Sequence, residues 1–583
     1  MSTKRTVLIV LSAVAAVSAL ALGSSTISSS GSVRFNAALN HSVGDVTQTG
    51  GTLKLGSTKF CDSFDPAMSY DSWCGVILRT YSRNLVSYAN KPAAESFVVV
   101  PDLLSALPVS VDGGTNWKMS LRKGLKWDDG TPITTADVKY SIERLFDPAI
   151  VGTVSTDSLC LISSCSSGLP DYKGPTKSGS LVAIKALDDN ALTIDLRRPF
   201  PTLPNVLAMP QFGIVEKNRA ETLAKNGKSY ASSPASSGPF SITVSQDEVN
   251  FQRNTYWSQA SDDLRIPKVA RMNWTLRPTS AAVDKAVIDG DLDVRLDGGL
   301  TGSVAASALK NPAMNKYLDQ IGTGTIDYLA LVPTAKPLER VACREAIFYA
   351  LNKTDLARIH GGISTAGIAT SMISAGIPGG EKSSNKYSSG PLNTGDIEKA
   401  RNSLSICGYP DGFEIGMAYV DMGLGKRTYE SVQRSLARVG IVVDPHEYAS
   451  FAEYFTSGVG NPENLQTSNV GLVAAAWSPE PGQSVTYWGP ISDGRKIKLR
   501  SNLNYAMIND DRINSTLDTL ESGTVNAAKA NRSIDQMVME KAVYVPFIVE
   551  QNVLYRGPLL SSVYVQRALG GHYDLVNIGV NRK

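Results

Sequence analysis

Histidine is nearly absent from this chain: there are four in 583 residues, and His41, His360, His446 and His572 lie far apart. With no C-x-x-C either, no donor set stands at metal-ligand spacing, and no metal site is expected. H-E-x-x-H, G-x-S-x-G, the Walker A loop and G-x-G-x-x-G are also missing, which removes the local signatures of zinc peptidases, serine hydrolases, P-loop proteins and dinucleotide binders. Ser120-Leu121-Arg122-Lys123 fits S-x-x-K, but its alternation belongs to a strand and no K-T-G accompanies it. An excess of one charge is lacking too. Lys+Arg 57 against Asp+Glu 54 leaves a net +3, too little for a basic field that would hold nucleic acid. No repeat of fixed period is found.

What is present points outward from the cytoplasm. Lys4-Arg5, an apolar run from Thr6 to Leu22 and the small residues Ala19 to Ser25 form the n-region, h-region and A-x-A pattern of an export signal, residues 1–23. The run is marginal for the ~20 residues of a bilayer span, so export is the expected reading and an uncleaved anchor the alternative. No cysteine follows it, since the first is Cys61, so a lipid anchor has no acceptor there. In an exported chain the six cysteines Cys61, Cys74, Cys160, Cys165, Cys343 and Cys407 favour disulfides over buried thiols. Cys61 with Cys74 and Cys160 with Cys165 could each staple a local loop, and Cys343 with Cys407 could tie two helices, but sequence alone does not choose the connectivity. The length exceeds one core, and 42% hydrophobic with 19% charged residues describes a globular chain of two or three domains.

Residues 101–146 are the most readable stretch. Trp117, Met119 and Leu121 alternate with polar neighbours as one face of a strand, Leu125 to Trp127 repeats the alternation, and Asp128-Asp129-Gly130-Thr131-Pro132 is turn chemistry. Thr134 stands three before Asp137 as a capping-box variant, and Val138, Ile142 and Leu145 follow at helical spacing until Asp147-Pro148. The string LRKGLKWDDGTPITTADVKYSIER closely resembles the signature of the large solute-binding proteins of ABC importers, the peptide- and nickel-binding family five. Similar landmarks recur in order: Phe64-Asp65-Pro66, VAIKALDDNALTIDLRRPFP from Val182, Gly238-Pro239-Phe240, NFQRNTYW from Asn250, CREAIFYALNKTDL from Cys343 and the proline-containing strand Val543 to Ile548.

The resemblance implies an α/β, two-lobed periplasmic-binding-protein-like fold (class II, cluster C) with an extra small domain on lobe I. The expected division is a Ser/Gly-rich disordered tether over 24–51, lobe I from 52–86, 211–330 and 546–583, the small domain over 87–210, and lobe II over 331–545. Within lobe II, Phe413 to Val420, a helix to Val439 and Ile441 to Val443 read as a βαβ unit. Ile77 to Val86 reads as a helix. In peptide-binding relatives a Trp ends a strand and an acid three residues later holds the peptide's α-amino group; Trp477 and Glu480 keep that spacing, with two prolines around Glu480 as a departure. Main-chain pairing with Ala476 and Ser478, and contacts from Tyr70, Asp71 and Ser72, are implied by position. The expected role is that of an extracytoplasmic, monomeric receptor that captures a solute, an oligopeptide first, by lobe closure and passes it to an ABC permease, with no cofactor. A sugar, opine, metal chelate or haem is the alternative cargo, and a secreted hydrolase or adhesin the alternative class.

Overall fold

Leu53 and Leu55 point inward and Lys54 outward, an alternation that makes Thr52–Ser57 an inner strand of the first sheet. The computed structural model describes residues 35–40, 49–69, 71, 73–150, 156–166, 169–362, 364–380, 384–421, 423–479 and 483–581. Thr52–Ser57 runs parallel to Arg271–Leu276 on one side and Val294–Arg295 on the other, and Glu248–Arg253 and Phe240–Val244 complete five strands. Trp274 fills this core: its indole N–H donates to Ser57 Oγ at 2.7 Å, and Phe60, Phe64 and Trp73 meet its ring edge-on.

The small domain is a four-stranded antiparallel sheet in the order Val109–Ser110, Asn116–Ser120, Ala191–Asp195, Ile184–Ala186. The helix expected after Thr134 spans Thr135–Arg144, and Asp137 reaches back to accept the Thr134 N–H at 3.0 Å. Its last residue, Arg144, lays two guanidinium nitrogens on Asp65 at 2.7 and 2.5 Å, joining the small domain to the Phe64-Asp65-Pro66 turn of lobe I. Leu125–Trp127 is not the second strand its alternation suggests. The Asp128-Asp129-Gly130 turn folds it back onto Thr131 to Ile133, with Trp127 N–H on Thr131 O and Ile133 N–H on Leu125 O, and the sheet partner of Asn116–Ser120 comes from distant Ala191–Asp195.

The helix read over Ile77 to Val86 is instead Cys74–Tyr81, and Val86–Tyr88 is a strand. The chain leaves the helix because Arg83 is drawn into a buried network with Asp102, Asp262 and Arg265. Part of the stretch assigned by composition to a disordered tether is ordered as well. Ala37 and Ala38 are buried, with Ala37 N–H on Asp319 Oδ1 at 2.8 Å and Asn36 Nδ2 on Gln320 O at 3.1 Å, so partners on lobe I supply what its own composition lacks. The signal-like residues 1–23 lie outside the described residues.

Lobe II holds a six-stranded mixed sheet in the order Ala366–Ile368, Tyr544–Tyr555, Leu318–Leu331, Val470–Trp477, Glu414–Val420, Val442–Tyr448. The βαβ unit is there: Glu414–Val420 and Val442–Tyr448 pair in parallel around the helix Gly425–Ala437. Leu318–Leu331 and Tyr544–Tyr555 pair antiparallel along their lengths and belong to both lobes. Leu318 and Val553 pack with Val283, Val287 and Leu300 on the lobe I side, whereas Ile326 to Leu331 and Tyr544 to Ile548 sit in the lobe II core. Their register slips between Gly322 and Ile326, midway between the two cores. Positions 331 and 546, where the sequence suggests the chain crosses over, lie at the Leu331 end of the first strand and near the Tyr544 end of the second. Disulfides join Cys61 to Cys74, Cys160 to Cys165, and Cys343 to Cys407; the last clamps helix Val341–Ala350 to Ile397–Ile406.

Candidate functional site

Val470–Trp477 carries the site because it is a central strand that loses one neighbour before it ends. On one side it pairs with Leu318–Leu331 to its last residue, Trp477 opposite Ile326 and Ala476 opposite Asp327. On the other side its parallel pairing with Glu414–Val420 stops at Val473 opposite Ala418. The Tyr454 hydroxyl fills the gap where the strands part, donating to Ala474 O at 2.6 Å and lying 3.3 Å from Ala418 O. Ala474 O therefore points toward the departing strand. Main-chain groups two residues apart face the same way, so the N–H and C=O of Ala476 face that side too, where no strand among the described residues pairs with them.

Trp477 ends the strand with its indole N–H on Tyr487 O at 2.8 Å, which fixes the ring as one wall of a cavity of about 370 Å³ between the lobes. Leu161, Phe200, Thr202 and Asn205 of the small domain and Gln483 to Thr486 line the same cavity. A second cavity of about 350 Å³ adjoins it and shares Arg198, Pro490, Lys496, Lys498 and Leu503 with it. The lobes touch around this space: Arg198 pairs with Glu521, Gln483 Nε2 lies 3.6 Å from Met209 Sδ, and Arg567 Nη2 donates to Ala375 O at 3.0 Å. Ligand pockets commonly lie at such domain junctions and begin near ~300 Å³.

The residues singled out by sequence fall into three groups. Trp477 lines the cavity, Ala476 supplies the open edge, and Ser478 is exposed one step beyond the strand. Asp71 lines neither cavity; it pairs with Lys59 at 2.7 Å in the loop closed by Cys61–Cys74. Asp71, Asp62 and Cys74 do approach one another, but the Cys74 sulfur is bonded to Cys61 and presents no thiolate. Glu480, Tyr70 and Ser72 lie outside the described residues. Phe200, Gln483, Lys496 and Lys498 were missed, because residues far apart in sequence meet here only through the closing of two lobes. Arg198 and Phe200 do stand in the RRPFP segment whose family resemblance was legible, and that was the one available signal.

On the sheet face beneath Ala476 sits Asp327, buried, with His360 Nδ1 3.6 Å from its carboxylate and no hydrogen-bond partner for Oδ2. Burial, reinforced by the charge of Glu550, pushes the Asp327 carboxyl up to about 8. Burial and then Arg427 push His360 below its ordinary value, so at neutral pH the two meet as uncharged groups.

Comparison with known proteins matches the geometry. Residues 98–498 match the family model described as bacterial extracellular solute-binding proteins, family 5 Middle. The glutathione-binding protein GsiB of Salmonella paratyphi A is 23% identical over 476 residues, covering 79% of this chain and 83% of that protein. Among solved structures, the clavulanic acid biosynthesis oligopeptide binding protein 2 superposes with a TM-score of 0.83 at 29% identity, over 94% of this chain and 99% of the other. DppA from Helicobacter pylori, in complex with the peptide STSA, shares the fold with a TM-score of 0.66 at 18% identity, over 92% and 99% of the two chains.

Proposed function

The chain belongs to the bacterial extracellular solute-binding proteins, family 5, and from that premise we propose that its interlobe cleft captures short peptides for delivery to a membrane permease. Its place is the extracytoplasmic side as the receptor of an ABC importer, and no helix of the described residues is long and apolar enough to cross a membrane. The observation that carries the peptide reading is the unpaired edge at Ala476 beside the cavity wall formed by Trp477. An extended peptide can add itself there as a strand, so that affinity comes from main chain and side chains are tolerated broadly. The cargo for which two of the similar proteins are named, glutathione and oligopeptide, supports the same class. Closure of the lobes completes the site, because each lobe supplies one wall. The guest leaves unaltered, since the cleft needs only to hold it. Glu480 takes the peptide's α-ammonium, a charge that cannot be desolvated without an acidic partner.

Native mass spectrometry of the exported form identifies the guest: a mass series of short peptides is expected, and a single non-peptide mass overturns the reading. Ala476→Pro removes one donor from the free edge and none from the paired side. It should weaken peptide binding by about tenfold, the ~1.4 kcal/mol of one lost main-chain bond, with little change in melting temperature. Unchanged affinity in calorimetry would take the edge out of the site. Glu480→Gln should cost free-amine peptides about 30-fold, from the ~2 kcal/mol of an orphaned charge, and cost N-acetylated peptides little; equal losses for both would remove Glu480.

A further inference from the structure

We propose that the hinge between the lobes is proton-linked: the carboxyls of Asp327 and Glu550, on the two strands that pass from lobe to lobe, hold the closed arrangement while Asp327 carries a proton and release it when Asp327 ionises beside Glu550. The device belongs to the lobes themselves and stands apart from the identity of the guest.

Glu550 has a special place in the register. Gln551 stands opposite Gly322 and Val549 opposite Ile326, so Thr323, Gly324 and Thr325 of Leu318–Leu331 bulge against this one residue of Tyr544–Tyr555. The hydroxyls of Thr325 and Thr323 bond the Glu550 carboxyl, and Thr323 Oγ1 also lies 3.4 Å from Glu550 O. Gly324 turns the bulge with a φ of +93°, where a side chain would be strained, and its carbonyl accepts Ser374 Oγ at 2.5 Å. The next residue of that loop, Ala375, takes Arg567 of lobe I on its carbonyl at 3.0 Å. The bulge is thus joined on one side to the acid opposite it and on the other to a loop that reaches across the lobes.

Asp327 stands two residues beyond the bulge, opposite Ile548, buried and with no hydrogen-bond partner for Oδ2. Glu550 acts on it from the facing strand. His360, at the end of the helix Lys353–Ile359, brings Nδ1 to 3.6 Å, and its Nε2 lies 3.2 Å from Thr428 Oγ1, beside Arg427, on the helix Gly425–Ala437. The other cations of the first helix are engaged elsewhere, Lys353 on Ala369 O at 2.9 Å and Arg358 on Asp355 at 2.6 Å. Val470–Trp477 places Ala476, which does not titrate, opposite Asp327. Among the described residues no lysine or arginine pairs with Asp327 or Glu550, so the two carboxyls meet without a cation between them.

Two neighbouring carboxyls cannot both ionise out of reach of water. In the arrangement where the lobes touch, burial and then Glu550 keep the proton on Asp327 up to about pH 8, and burial raises Glu550 as well. Ionisation therefore favours an arrangement that admits water to the pair, and the bulge is where the strands can part while the ladder in each lobe stays whole. The closed form binds the proton more tightly. By linkage it is favoured below that value and is lost as pH rises through it. An extracytoplasmic receptor meets the pH of its surroundings, so this hinge ties capture to external acidity.

Small-angle X-ray scattering of the full exported chain without guest reads the separation of the lobes, and calorimetry with trialanine reads capture, both from pH 6 to pH 9.5. Wild type is expected to open, and to lose affinity by up to about tenfold per pH unit, the limit for one linked proton, as pH passes about 8. Asp327→Asn, which cannot ionise, should show neither change. Glu550→Gln should move the transition to lower pH, since it removes the like charge that helps Asp327 keep its proton; a merely structural role would shift affinity equally at every pH. A transition in either readout that Asp327→Asn abolishes supports the linkage. No transition in either, or one that Asp327→Asn retains, overturns it. Trialanine bound at no pH, with the scattering transition present, counts against the peptide cargo and not against the hinge.

Discussion

Asp102→Asn is expected to destabilise the first lobe by about 3–5 kcal/mol, the cost of removing one partner from a buried charge network. Asp102 is almost fully buried and receives Arg83 Nε at 2.7 Å and Arg265 through Nη1 and Nη2 at 3.0 and 2.9 Å. Burial pushes its carboxyl up, but Arg265 and Arg83 outweigh that and hold it well below the usual carboxylate range. The asparagine would leave two guanidinium groups with Asp262 as their remaining acid, 3.1 Å from Arg265 and 3.5 Å from Arg83. A carboxyl whose folded value is depressed gives stability that is present above its unfolded value and lost as pH falls, so the deficit of the variant should be full at pH 7 and shrink below about pH 4. Denaturant unfolding followed by tryptophan fluorescence reads this out. A midpoint at pH 7 unchanged from wild type would show that the network does not hold the lobe. Because Arg83 and Asp102 bracket the entry to the small domain and Arg265 belongs to lobe I, the same variant should loosen the wall that carries Phe200.

Asp327→Asn is expected to act with the opposite sign. The folded value of about 8 lies above the unfolded value near 3.8, so wild type binds an extra proton in the fold between those limits and loses stability as pH rises through them. The asparagine keeps the shape without the titration. It should be close to neutral at pH 4 and stabilising by roughly 2–5 kcal/mol at pH 9, taking ~1.4 kcal/mol per unit and allowing for relaxation around the site. Glu550 and His360, which face Asp327, and Arg427, which acts on His360, remain in the variant. His572 tilts the acid side the other way: burial lowers it to about 4, so its contribution is present above its ordinary 6.5 and is lost as pH falls. Melting temperatures of both proteins from pH 4 to pH 9 test the sign. Parallel curves would mean that Asp327 is already ionised in the fold.

Elements set by local chemistry were readable in the sequence, and those set by distant partners were hidden. Thr134 and Asp137 announced a helix start that the structure keeps to the residue, and the βαβ unit around Gly440 showed through its turn and its apolar strands. The cysteine pairs closest in sequence are the ones that bond. Leu125–Trp127 misled because alternation records which side chains are buried, and a tight turn around Asp128 buries Trp127 as well as a strand would. Phe35–Asn40 misled in the other direction: its burial is supplied by Asp319, Gln320 and Arg556, hundreds of residues away. Trp477 could be singled out by its spacing to an acid, whereas Phe200, which lines the same cavity from the small domain, has no such spacing to find.

The docking of Phe35–Asn40 bears on how the two long strands are held together. Phe35 lies under Arg556 and Ala37 is pinned to Asp319, at the roots of the two strands that pass from one lobe to the other. The same Asp319 carboxylate also takes Arg556 and the Tyr573 hydroxyl, so one buried acid gathers Ala37, the second long strand and the C-terminal segment into a single knot.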